Sequence, residues 1–249
     1  RGVSVISFGS SNGADIQLLD VKPSPAFQEI RIKVFKAEYQ FVLKLLGKVQ
    51  ILNELAALGV VVASQKDSDV AFWVDQLRNL KGVPGRLERV TDSNSLAQVI
   101  VDYAHTPDAL LNVLSTINQV NINKSKVITV IGCGGGIDMK KRKKMGLIAV
   151  NHSSFSVFTS DNPRDENPEK IIEDMISGID TIQLKKVFIE LDREIAIKLA
   201  LSMIDEKCIV LIAGKGHENY QIIKSKKIVV LLAFKFKEFE CLPLLTIKK

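Results

Sequence analysis

Cysteine is scarce in this sequence: Cys133, Cys208 and Cys241 are the only three in 249 residues, and they form no C-x-x-C. That spacing supports neither a zinc site nor a disulfide scaffold, so no metal is expected on them and a reducing, cytoplasmic compartment is the default. Long apolar runs are also missing. No stretch approaches the roughly 20 apolar residues of a spanning helix, and Arg1-Gly-Val-Ser-Val-Ile-Ser-Phe8 has too short an apolar run for a secretory signal. A membrane role is therefore not expected. The chain begins without Met, as though cut from something longer. With only 15 Gly and 7 Pro, 46% hydrophobic and 25% charged residues, it is neither fibrous nor disordered.

What is present is enough apolar sequence for one large or two modest domains, since single cores stop growing at roughly 250 residues. Lys and Arg number 34 against 28 Asp and Glu, a net charge of +6 that raises the question of a polyanionic partner. The charge is concentrated in two places. Residues 224–249 hold seven Lys against two Glu, and Lys140-Lys-Arg-Lys-Lys144 is an unbroken run of five bases. No aromatic residue is interleaved with that run, which argues against a nucleic-acid face and for a solvated helix face. Placed at a helix start, it opposes the positive dipole end unless an anion is close.

Residues 1–45 carry short β-type runs, Val3 to Phe8, Ile30 to Phe35 and Tyr39 to Leu43, separated by polar turns. Ile51, Leu55 and Leu58 then recur at helical spacing, giving a helix from Gly47 to about Ser64 and a shorter one over Ser68 to Asn79. Gly82-Val-Pro-Gly-Arg86 is a turn-rich hinge. Beyond it the pattern changes. Val99 to Tyr103, Lys126 to Ile131, Phe155 to Thr159, Lys186 to Ile189 and Cys208 to Ala213 suit strands buried on both faces. Helical segments alternate with them: Pro107 to Ile117, Lys140 to Asn151, Asn167 to Ile179 and Asp192 to Ile204. Thr106-Pro107 and Asn167-Pro168 each set an N-cap before a proline at the first helical position. The fold class is α/β, a Rossmann-like, mostly parallel sheet with helices on both faces.

In such a sheet ligands bind where strands end and loops begin. Those loops read Asp102-Tyr-Ala-His-Thr-Pro107, Gly132-Cys-Gly-Gly-Gly136, Ser160-Asp-Asn-Pro-Arg-Asp-Glu166 and Gly214-Lys-Gly-His-Glu218, all on one rim. The glycine run permits close backbone approach to an anion or simply makes a tight turn; it matches no standard phosphate-loop spacing. Asp161-Asn-Pro-Arg164 suits a zwitterionic amino acid, Arg taking a carboxylate and Asp an ammonium, or is an Asx-turn leading into Pro168. His105 either meets a phosphate or is a hydrogen-bonded rim residue, and His152 reads as a C-terminal cap.

Taken together and in this order, Gly85-Arg-Leu-Glu88, Val101-Asp-Tyr-Ala-His-Thr-Pro-Asp-Ala-Leu110, Gly132-Cys-Gly-Gly135, Ser160-Asp-Asn-Pro-Arg164 and Ala213-Gly-Lys-Gly-His-Glu-Asn-Tyr-Gln221 resemble the Mur ligases over about residues 47–223. The closest type adds meso-diaminopimelate to a UDP-N-acetylmuramoyl-dipeptide in peptidoglycan synthesis. The resemblance implies three domains, of which 1–81 would be the end of the central ATPase domain and 82–249 the C-terminal domain. It also implies ATP and Mg²⁺ as cofactors and UDP-MurNAc-L-Ala-D-Glu and meso-diaminopimelate as substrates. Asn53, Arg86, Asp102 and His105 would face the nucleotide. Asp161, Asn162, Pro163 and Arg164, with Gly214 and Glu218, would form the diaminopimelate pocket. Arg164 would select the substrate's second carboxylate.

The departures from the family are also specific. Its phosphate loop, acidic Mg²⁺ ligands and carbamylated lysine lie upstream of this sequence, so no catalytic residue or metal ligand is expected within it. Gln50 replaces an asparagine, Ile137 replaces an arginine expected to hold the amino acid's carboxylate, and Ile228 to Lys249 does not resemble the family's acidic end. The two basic clusters fall among these departures, so the positive charge reads as divergence. The resemblance implies a truncated or degenerate ligase inactive alone; the alternative is a non-catalytic binding module acting with a separately encoded N-terminal half. The unmodified chain is expected to bind meso-diaminopimelate weakly or not at all and Ile137→Arg to restore binding, since a charge-assisted hydrogen bond contributes about 1.5–3 kcal/mol. Isothermal titration of both proteins checks this, and tight binding by the unmodified chain would contradict it.

Overall fold

The computed structural model describes residues 5–24, 27–64, 69–91, 97–121, 123–136, 138–204 and 207–229. Ile137 and most of the tail, from 230 onward, lie outside them. The chain divides into two units, Arg1–Gly82 and Val83–Lys249.

In the first unit β1 (Phe8–Gly9) pairs parallel to β2 (Ile16–Pro23), and β2, β3 (Gln28–Val34) and β4 (Ala37–Leu43) form an antiparallel meander. Period-two alternation turns Ile30, Ile32 and Val34 to one face, where they pack with Ile51, Leu55 and Leu58 of α1 (Lys48–Ser64). The helical spacing seen in the sequence is thus the buried stripe of α1. After it come α2 (Val70–Gln76), N-capped by Asp69, and a 3-10 turn at Leu77–Asn79. Strand β2 was not expected. Its register shifts between Leu18 and Asp20, and that irregularity breaks the alternation by which a strand is read.

The second unit is a six-stranded sheet in the order β5 (Glu88–Arg89), β6 (Ala97–Asp102), β10 (Cys208–Ala213), β7 (Lys126–Ile131), β8 (Phe155–Phe158), β9 (Val187–Ile189). All neighbours are parallel except the short β5. The last long strand in the sequence, β10, therefore lies between the first two, and all six of its residues are buried. Only an unbroken apolar run such as Cys-Ile-Val-Leu-Ile-Ala tolerates that position. On one face α3 (Pro107–Val120), α4 (Lys140–His152) and α5 (Pro168–Ile176) share a core with Ile100, Ile131 and Leu211; on the other α7 (Arg193–Ser202) covers Val99, Val130 and Val210. The α/β class with helices on both faces is the observed architecture. Thr106 and Asn167 cap α3 and α5 as their side chains suggest. Four short elements carried no sequence signal: β5, α6 (Thr181–Leu184) and the hairpin of β11 (Tyr220–Ile223) with β12 (Lys226–Val229).

One expectation is overturned here. The run Lys140 to Lys144 is not a uniformly solvated face, because Arg142 at its centre is completely buried. Four residues on, Gly146 brings α4 so close to α5 that a Cβ there would overlap the Met175 carbonyl oxygen. Gly146→Ala is therefore expected to lower stability by about 1–3 kcal/mol through overpacking, outweighing the ~1 kcal/mol that alanine's helix propensity offers. Urea denaturation measures the balance, and an unchanged or raised midpoint would contradict this packing.

Candidate functional site

Because β6, β7, β8 and β10 run parallel, their carboxyl ends deliver four loops to one edge of the sheet. Asp102 ends β6. Its backbone carbonyl accepts from the N–H groups of Gly214 (3.1 Å) and Gly216 (3.2 Å), joining the loop after β6 to the loop after β10. Its carboxylate is turned inward, accepting from Leu87 N and Ala104 N, both at 2.7 Å. Burial pushes the Asp102 carboxyl above its ordinary range, and those two N–H bonds oppose the shift. Asp102 thus fixes the Gly85–Leu87 turn rather than facing outward. Gly85 itself is irreplaceable: its φ is +69° and a Cβ would overlap the His217 backbone.

The turn carries Arg86, whose guanidinium lies 4.2 Å from the centroid of the Tyr103 ring. Tyr103 also meets the His105 ring edge to face at 4.8 Å and stacks with His217 at 6.3 Å. Its hydroxyl donates to Glu218 Oε1 at 3.2 Å. Three of the four residues assigned to the nucleotide, Arg86, Asp102 and His105, are thus brought together. Asn53, the fourth, lies exposed on α1 of the first unit.

The 160–166 loop is held from behind by a lysine. Lys215 is 2% exposed, and its Nζ donates to Asn162 Oδ1 at 2.8 Å and to Glu218 Oε2 at 3.3 Å, with Asp161 Oδ1 at 3.5 Å. Asp161 and Gly214 are buried here, a Cβ on Gly214 lying 3.0 Å from Asp161 Oδ2. Asp161 is therefore paired with an internal ammonium, not held open for one from a ligand. Arg164 adopts φ +52° and pairs its backbone with the hairpin, Arg164 N to Ile222 O at 3.0 Å and Lys224 N to Arg164 O at 2.7 Å. Its Nη1 donates to Gly135 O at 2.6 Å, leaving Nε and Nη2 without partners among the described residues. Pro163 is buried, and Gly135 packs against its carbonyl. Asp161, Asn162, Pro163, Arg164, Gly214 and Glu218 accordingly form one cluster.

The glycine loop is held by Arg142. Its Nη1 and Nη2 grip Glu166 through both carboxylate oxygens (2.8 and 2.9 Å), while Nη1 also meets Asp174 at 2.9 Å and Nη2 the Gly134 carbonyl at 3.2 Å. Glu166 in turn accepts from Gly136 N. The acids that a basic helix start requires are therefore supplied by the next loop and helix. Cys133, buried in the same loop, has its thiol pushed up to about 12 by burial. It is not a nucleophile.

Lys215 and Arg142 were missed as site residues. Nothing in a glycine-flanked lysine or a run of five bases tells which cation is internal; only the acid pairs Asp161/Glu218 and Glu166/Asp174 hinted at a need for counter-charge. No group of three or more His, Cys, Asp or Glu among the described residues could hold a metal ion, so the described residues do not by themselves make a Mg²⁺ site. No helix among them is long and apolar enough to cross a membrane.

Residues 85–216 match the family described as Mur ligase, glutamate ligase domain. The chain belongs to the Mur ligase family. It is 40% identical over 220 residues to the UDP-N-acetylmuramoyl-L-alanyl-D-glutamate–2,6-diaminopimelate ligase of Syntrophomonas wolfei, covering 88% of this chain and 44% of that one. The namesake from Aquifex aeolicus is 41% identical over 223 residues, again covering 44% of its length. A solved structure of a ligase of that name superposes with TM-score 0.61 at 36% identity, covering 90% of this chain and 45% of that one. Folylpolyglutamate synthase of Mycobacterium tuberculosis shares the fold alone, at TM-score 0.65 and 19% identity. The chain thus spans less than half the length of the Mur ligase relatives it matches.

The Arg142 bond holds the Glu166 carboxyl below its usual range. A depressed carboxylate adds stability that is present above its unfolded pKa and lost as pH falls through the folded one. Glu166→Gln is therefore expected to shrink the loss of stability between pH 7 and about pH 3, below the range in which unfolded glutamate titrates. Urea midpoints at the two pH values measure it, and an undiminished difference would refute the link.

Proposed function

We propose that this chain is the amino-acid-delivering part of a cytoplasmic ligase that joins meso-diaminopimelate to the D-glutamyl carboxylate of UDP-MurNAc-L-Ala-D-Glu. The observation that carries this reading is the cluster at Lys215, which unites the Asp161–Arg164 loop with Gly214 and Glu218. On this reading the first unit is the end of the family's central domain. ATP phosphorylates the D-glutamyl carboxylate; the amine of the incoming amino acid attacks the acyl phosphate, the amide forms and phosphate leaves. The residues of this chain bind and orient the amino acid. The free edge of Arg164 and the amide of Asn162 offer donors to a carboxylate, and Glu218 offers acceptors to an ammonium. Arg86 and His105 meet the nucleotide beside Tyr103, with Asp102 setting the Arg86 turn.

Tight positioning of the attacking amine is the contribution such a domain makes to rate. ATP and Mg²⁺ are held, in the family, by upstream elements that these 249 residues do not contain. Purified as they stand, they are expected to bind amino acid only weakly, Ile137 lacking the expected guanidinium, and to release no phosphate from ATP. In titrations followed by NMR, meso-diaminopimelate should bind about tenfold more tightly than lysine, which lacks the second carboxylate, and Arg164→Met should erase the difference. Equal affinities in the unmodified chain, or sustained diaminopimelate-dependent phosphate release, would overturn this reading.

A further inference from the structure

Asn162 Oδ1 is contacted by two donors, Lys215 Nζ at 2.8 Å and the Ile222 backbone N–H at 2.9 Å. An amide turned the other way would set its NH₂ against an ammonium and an N–H, donor facing donor. The side chain is therefore locked with its oxygen inward. Its NH₂ makes no hydrogen bond among the described residues, on a residue that is half-buried.

We propose that Lys215 is a positioning residue that sets the polarity of the amino-acid pocket: it holds Asn162 as a donor and thereby selects a carboxylate at that point. This rests on the reading of the site as an amino-acid pocket. The ammonium is 2% exposed and, among the described residues, meets Asn162, Asp161 and Glu218 and lies 5.5 Å from the centroid of the Tyr220 ring, so it acts through its protein partners rather than on a ligand. Its removal has a directional effect. Without the cation, the Asp161 and Glu218 carboxylates, both within 3.5 Å of where Nζ stood, lose their shared partner. A charge-assisted bond from the Asn162 NH₂ to one of them is roughly twice as strong as the neutral bond from Ile222 that turning would sacrifice. The amide therefore turns its NH₂ inward, and the pocket then presents an acceptor where it presented a donor.

The unmodified, isotopically labelled chain provides the first test. Scalar couplings across the hydrogen bonds from Lys215 Nζ and from the Ile222 amide nitrogen to the Asn162 side-chain carbonyl carbon are expected, and absence of both overturns the inference. The second is the ratio of affinities for meso-diaminopimelate and lysine. Lys215→Met should lower that ratio about tenfold, the effect of one charge-assisted hydrogen bond, and should abolish the Ile222 coupling; Lys215→Arg, which keeps a cation, should retain much of the ratio. A merely structural role would weaken both ligands equally, and that result overturns the proposal. If the couplings are present but neither ligand binds the unmodified chain, the pocket reading fails while the locked amide stands.

Discussion

Two buried cations organise the carboxyl edge of this sheet. Arg142 is wholly inside the protein and Lys215 nearly so, and each sits among oxygens drawn from loops that are far apart in sequence. A buried charge is costly unless it is paired and hydrogen-bonded, and breaking such a pair leaves the surviving charges uncompensated. The loops are thereby tied to positions where the cations are satisfied. Glycines permit the approach, since the 134–136 segment must pass directly over Pro163 and Arg164. Flexible sequence is converted into a fixed edge by internal electrostatics.

The strand order makes this possible. Inserting β10 between β6 and β7 sets the Gly214–Glu218 loop between the Asp102 and Gly132 loops, so that one lysine reaches both Asn162 and Glu218. The same insertion lets the Asp102 carbonyl collect two N–H groups from the β10 loop, which aligns Tyr103 with Glu218. Tyr103 then spans from the Arg86 and His105 side to Glu218 of the Lys215 cluster. Arg193, at the start of α7, adds a third buried cation: its Nη2 donates to the Ala213 carbonyl at 2.7 Å, and the charge of Asp161 lies close.

Much of the second unit was legible in the sequence because parallel strands buried on both faces must be unbroken apolar runs, and because Thr106 and Asn167 announce their helices chemically. The first unit was less legible: β2 carries an irregularity, and edge elements such as β5 and β12 bury too little to impose a pattern. The site showed the same division. Loop sequences placed Asp161 to Arg164, Gly214 and Glu218 on one rim, and they lie together. The direction of each side chain did not follow from the sequence. Asp102 and Asp161 read as ligand-facing carboxylates, yet each is occupied internally, by backbone N–H groups in one case and by Lys215 in the other. Arg142 is the one guanidinium among four lysines, the side chain suited to buried bidentate pairs, but its depth on α4, facing Asp174, did not follow from the run.

The central claim is that the edge formed by the loops after β8 and β10 receives an amino acid. The measurement that tests it most directly is a crystal structure of the chain with meso-diaminopimelate. The account requires the ligand between Asn162, Arg164 and Glu218, with a carboxylate on the Asn162 amide nitrogen. Density away from Asn162 and Glu218, at the Asp165, Asn167, Leu191 and Lys224 end of the groove that Arg164 also lines, or on the first unit, would contradict it.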